Sequence, residues 1–95
     1  MEIIVETFLP VGEASGASRR VRPLPGQGFP ADMRVECSRK MRYDYPLGQR
    51  FRIAVTPTSR NGGVSFLYSN PRGPWQTVTA AEAARYIAET FRSRA

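Results

Sequence analysis

The sequence predicts an α+β domain: a four-stranded, mainly antiparallel curved sheet or small open barrel, with a C-terminal helix. Three observations carry this. Residues 50–56 and 64–69 alternate apolar and polar side chains with period two, and an Asn61-Gly62 step lies between them. Thr79-Ala80-Ala81-Glu82 then opens an alanine-rich segment with helical periodicity. At 95 residues, 41% of them hydrophobic, the chain has material for one modest core, so residues 1–95 are expected to form a single domain.

The first strand is expected over residues 2–9, EIIVETFL. Ile3, Val5, Thr7 and Leu9 share one face; Glu2, Ile4, Glu6 and Phe8 share the other. Pro10 ends it. Residues 11–31 hold four glycines and three prolines among small polar residues, and predict a long loop or arm carrying Arg19, Arg20 and Arg22. A second strand is expected over 33–38, with Met33, Val35 and Cys37 on one face. Tyr45-Pro46-Leu47-Gly48 predicts a turn in which Gly48 takes a positive φ.

In the third strand, residues 50–56, Phe51, Ile53 and Val55 point to the core and Arg50 and Arg52 away from it. The fourth strand, 64–69, returns through a hairpin at Asn61-Gly62. Asn70-Pro71-Arg72-Gly73-Pro74 breaks it, and Trp75 to Val78 adds a short extended piece. The helix is expected from about 80 to 92, with Thr79 and Glu82 as a reciprocal capping box. Its apolar face is read as Ala80, Ala84, Ile87 and Phe91, with Ala83 and Ala88 at its sides.

Fourteen Lys and Arg side chains against eight Asp and Glu give a formal charge of +6. A moderate basic excess suits nucleic acid or an acidic protein partner without requiring either. No apolar run is long enough to span a bilayer, and the two glutamates near the N-terminus do not suit a secretory signal. No membrane partner is therefore expected, and a cytoplasmic setting fits best. With no histidine and a single cysteine, the chain lacks the usual parts of zinc sites, Cys–His catalysis and Ser–His–Asp catalysis. Cys37 is expected to be a buried core thiol. The glycines at 12, 16, 26 and 28 lack the spacing of a phosphate-binding loop, and no cofactor is expected. Glu2, Glu6, Asp32, Glu36 and Asp44 read as solvated partners of nearby arginines, so the chain is expected not to be an enzyme.

The segment Arg39 to Val55 concentrates positive and aromatic side chains around a turn and a strand. Guanidinium groups hold phosphates and aromatic rings stack on bases, so Arg39, Lys40, Arg42, Tyr43, Tyr45, Arg50 and Arg52 form the candidate nucleic-acid-binding set. A second surface, Asn70, Arg72 and Trp75, suits a protein partner instead. Strand 2–9 is apolar on both faces. Either it lies in mid-sheet or it pairs with a second copy to form a homodimer.

Overall fold

The computed structural model describes residues 1–10, 19–59 and 65–91. Along them run β1 (Glu2–Phe8), β2 (Arg20–Pro23), β3 (Val35–Glu36), α1 (Arg39–Tyr43), β4 (Arg50–Ala54), β5 (Thr56–Thr58), β6 (Phe66–Tyr68), β7 (Trp75–Val78) and α2 (Ala80–Phe91). One sheet is four-stranded and antiparallel, in the order β2-β1-β4-β7. The other has the order β3-β6-β5, with β3 parallel to β6 and β5 antiparallel to it. The expected four-stranded antiparallel sheet and C-terminal helix are both present, and the sheet is not closed into a barrel.

Sheet membership departs from the sequence reading. The strand expected at 50–56 divides at Val55, so that β4 belongs to the first sheet and β5 to the second. At that corner the Val55 N–H donates to the Met1 carbonyl at 2.8 Å. Pro57 is tolerated within β5 because β5 is an edge strand. The β5–β6 hairpin pairs Thr58 with Phe66, while the Asn61-Gly62 step lies outside the described residues. The strand expected at 33–38 contracts to Val35–Glu36.

Residues 11–31 are not one long loop. Residues 11–18 lie outside the described residues, but Arg20–Pro23 form β2 and pair with β1 from Val5 to Phe8. Its short Arg-Val-Arg-Pro alternation buries Val21 and Pro23, and an outer strand can accept a proline. With β2 on one side and β4 on the other, both edges of β1 are used. Of the two placements expected for residues 2–9, the strand therefore takes the one in mid-sheet.

The core lies on the face of β1 that carries Ile3 and Val5, opposite Ile53 and Phe51. Val21, Val35, Met41, Val55 and Leu67 complete it. Ile4, on the other face, is as fully buried as Ile3. Burying a central strand leaves its backbone dependent on finding partners, and β2 ends opposite Val5, one residue short of Ile4. Gln27 makes up the difference. Its Oε1 accepts from the Ile4 N–H at 2.7 Å, while its Nε2 donates to the Ile4 carbonyl at 2.8 Å and to the Leu24 carbonyl at 3.0 Å. Gly26 and Gly28, at φ of 92° and 86°, turn the chain so that this side chain points inward. A Cβ on Gly26 would lie 3.3 Å from Cγ2 of Ile87, so the glycine also admits the helix.

Helix α2 begins with the expected capping box. The Thr79 N–H donates to Glu82 Oε1 at 2.8 Å and the Glu82 N–H donates to Thr79 Oγ1 at 3.1 Å. Arg85 and Glu89 form an i,i+4 pair at 3.2 Å. The buried face is rotated from the expected one. Ala83 is the fully buried residue, Tyr86, Ile87 and Phe91 are half-buried, and Ala80 and Ala84 face solvent. The Tyr86 hydroxyl explains the rotation, since it donates to the Glu2 carbonyl at 2.8 Å and pulls its own side of the helix onto the sheet.

Gln27→Ala should therefore lower stability by roughly 2–4 kcal/mol, because it strands a buried N–H and weakens the bonding of a buried carbonyl. Urea unfolding would measure this, with faster hydrogen exchange at the Ile4 amide as the local signature. Wild-type stability in the variant would contradict the role assigned to this side chain.

Candidate functional site

Residues 39–43 form a one-turn helix, which the sequence reading did not include. Met41 is its buried anchor, and Arg39, Lys40, Arg42 and Tyr43 surround it. The turn that follows is as expected: Gly48 has φ 85° and the Gln49 N–H donates to the Pro46 carbonyl at 3.2 Å. Buried Thr7 holds this turn in place, its Oγ1 accepting from the Gly48 N–H at 3.0 Å.

The sequence places Arg19, Arg20 and Arg22 some twenty residues before Arg39, and the fold brings the two groups together. The Arg19 N–H donates to the Tyr43 hydroxyl at 3.1 Å, and the Arg19 guanidinium donates to the Tyr45 carbonyl at 2.7 Å. Arg42 returns a bond to the Arg19 carbonyl at 3.2 Å. Three guanidinium groups surround the Tyr43 ring, with Arg39 at 4.7 Å, Arg42 at 5.7 Å and Arg19 at 5.8 Å from its centroid. The ring quadrupole and the carbonyls offset part of the repulsion between these cations. The like charges still reinforce one another in the solvent beyond, and that field attracts anions. Sequence reasoning missed Arg19 as a member of this site. The early charge cluster was visible, but the strand that carries it to α1 was not.

The seven candidate nucleic-acid residues therefore separate into three sets. Arg39, Lys40, Arg42 and Tyr43 remain together on α1, and Tyr43 is 37% exposed. Tyr45 turns inward, its ring meeting that of Phe51 edge-on at 5.0 Å. Arg50 and Arg52 lie on the face of β4 opposite Phe51, across from glutamates on β1. Arg52 pairs with Glu2 at 2.6 Å and lies 4.2 Å from the Tyr86 ring centre, and Arg50 approaches Glu6 at 3.6 Å. Glu6 is shared with Arg22 at 3.0 Å. Glutamates on a central strand thus anchor the arginines that flank it.

The second candidate surface is also divided. Trp75 pairs with Ile53 and packs against the core. The Asn70 side chain accepts from the Arg72 N–H at 3.0 Å, closing a turn completed by the Gly73 N–H on the Asn70 carbonyl at 2.8 Å. Arg72 is exposed. Among the described residues no three acidic or cysteine side chains come together to hold a metal ion. No helix there is long and apolar enough to cross a membrane.

Cys37 packs against the core from a half-buried position. Burial raises its thiol to a pKa of about 11, and the nearby positive charge of Arg42 offsets only part of that rise. The thiol is therefore protonated at neutral pH and a poor nucleophile. Comparison with protein-family models, with curated proteins and with solved structures finds no match to this chain.

Arg52→Ser should cost about 1–2 kcal/mol, the combined scale of an exposed ion pair and a cation–π contact. Thermal unfolding of this variant beside Arg72→Ser, which removes an exposed residue, would check the difference. The Cys37 shift has a definite sign. Between pH 9 and about 11 the unfolded chain loses the thiol proton while the folded chain retains it, so stability falls as pH rises through this window. The loss should approach roughly 2–3 kcal/mol. It is measured as the excess alkaline destabilisation of the wild type over Cys37→Ala, and parallel curves for the two proteins would refute it.

Proposed function

We propose that this chain is a small non-catalytic binding protein, acting in the cytoplasm, that holds single-stranded or structured nucleic acid against the surface built by β2 and α1. The convergence of Arg19, Arg39 and Arg42 around Tyr43, with Lys40 exposed on the same helix and Arg20 and Arg22 following Arg19 on β2, is the observation that carries this reading. Two roles are distinguished there. Arg19 and Arg42 give hydrogen bonds to each other's backbone and fix the shape of the surface. Arg39 and Lys40 are exposed and project from the helix, where phosphates can reach them. Arg39, lying over the Tyr43 ring, offers a flat cation on which a base can stack.

Arg50 and Arg52 have a smaller part, because glutamates already meet their charge. Sequence discrimination is expected to be weak, since phosphate contacts carry little sequence information. Affinity should fall steeply with salt as bound phosphates release counterions.

Fluorescence polarisation with short single-stranded DNA and RNA at several salt concentrations tests this. Arg39→Ser combined with Lys40→Ser should weaken binding and lower the slope of log affinity against log salt by about 1–2. Arg50→Ser should change the slope little. The proposal fails if binding is no more salt-sensitive than that of a charge-matched control protein. It also fails if the double variant binds as the wild type does, which would turn attention to an acidic protein partner.

A further inference from the structure

Beside this surface, sharing Arg20, Arg22 and Arg42 with it, a cleft of about 330 Å³ opens between β2 and the segment that leads into β3. Its volume lies within the range of small-molecule pockets and is sufficient for one nucleotide, though not for a continuing strand. Arg20, Arg22, Arg34 and Arg42 line it together with Asp32 and Glu36. Arg22 is also met by Glu6 at 3.0 Å, so the cleft keeps a modest positive excess, which suits an anionic group such as a phosphate. The volume, which takes one nucleotide and no continuing strand, favours a phosphate at the end of a molecule.

The rest of the lining suits the body of a nucleotide. Val21, Met33 and Val35 supply apolar surface, and the Arg22 guanidinium is already stacked 4.5 Å from the centre of the Phe8 ring. Such a stack offers a planar group to a base, and Asp32 and Glu36 can accept hydrogen bonds from sugar hydroxyls or a base amine. Within the cleft, Arg42 has a buried Nε that finds no hydrogen-bond partner. Buried guanidinium nitrogens ordinarily have one, so a small adjustment of Arg42 toward an anion would correct a deficit.

We propose that this cleft binds the terminal monophosphate nucleotide of a strand, or a free nucleoside monophosphate of the same chemistry. As a property of the nucleic-acid surface it rests on the reading above, but the free nucleotide tests the cleft by itself. Arg34 is the residue to vary, because its side chain is exposed and only its backbone carbonyl is committed, accepting from the Leu67 N–H at 2.9 Å.

The experiment titrates a nucleoside 5′-monophosphate, the matching nucleoside and inorganic phosphate into labelled protein, following backbone amide shifts. In parallel, polarisation compares a short single-stranded DNA with and without a 5′-phosphate. The nucleotide should shift amides of Met33 to Cys37 and of β2, and should bind more tightly than nucleoside or phosphate. The phosphorylated strand should bind better than its unphosphorylated counterpart. Arg34→Ala, with its fold verified from the same spectra, should weaken nucleotide binding about tenfold, the scale of one lost charge-assisted contact. Shifts confined to α1, nucleotide binding no tighter than inorganic phosphate, or an unchanged affinity in Arg34→Ala would overturn the proposal. If strands bind regardless of a 5′-phosphate and the nucleotide leaves the cleft amides unmoved, the surface reading survives and the cleft assignment falls. If the nucleotide occupies the cleft but no strand binds better than it, the cleft assignment survives and the surface reading falls.

Discussion

Everything in this small fold is arranged around the backbone of β1, which must be satisfied on both edges while both its faces are covered. Ile3 and Ile4 are consecutive and both fully buried, so their side chains leave on opposite faces and neither face of the strand is open at that point. In a chain this short, two full strands flanking β1 along its whole length would consume residues needed elsewhere. β2 covers the stretch from Val5 to Phe8, and one glutamine side chain covers Ile4. A carboxamide has the same donor and acceptor as a peptide group, so Gln27 substitutes for one residue of an absent strand. The same turn brings Gly26 to Ile87, and so links the sealing of the sheet edge to the docking of α2.

Where the sequence was legible, the signal was local. The capping box needs only four consecutive residues, and the turn at Gly48 needs a proline and a glycine at the right spacing. The apolar triplet Phe51, Ile53 and Val55 announces its buried face by alternation alone. What could not be read were features set by tertiary contacts. β2 is four residues long, half arginine, and ends in proline. By propensity it resembles a loop, and only pairing with β1 makes it a strand. The rotation of α2 has the same origin. The periodicity marks an apolar side, but alanines flank it in both directions, so the hydrogen bond from Tyr86 to Glu2 and the opening at Gly26 decided which of them faced the sheet. The α1 segment was hidden for a different reason, as five residues with one apolar anchor give no period to detect.

The candidate site shows the same division. Individual residue types on α1 were legible because basic and aromatic side chains are adjacent in sequence there. Their partner Arg19, just ahead of β2, was not, because the contact between Arg19 and Tyr43 joins two segments whose proximity depends on where β1 lies. Alternation correctly set Arg50 and Arg52 on the side away from Phe51. It gave no sign that Glu2 and Glu6 stood opposite them, since that depends on the register between β1 and β4.

The partition of the arginines follows from this topology. On the sheet, Arg22, Arg50 and Arg52 face carboxylates from the central strand, so their charge is met locally and contributes little at a distance. At the β2–α1 junction, Arg19 and Arg42 are held by carbonyl oxygens, which bind a guanidinium without cancelling its charge. Hydrogen bonding to neutral acceptors fixes these cations in position and leaves their field intact. A formal charge of +6 spread evenly over a sphere would steer very little. Met by carboxylates along the sheet and held by neutral acceptors at one junction, the same composition becomes directional, and the cleft beside Arg42 borders that junction.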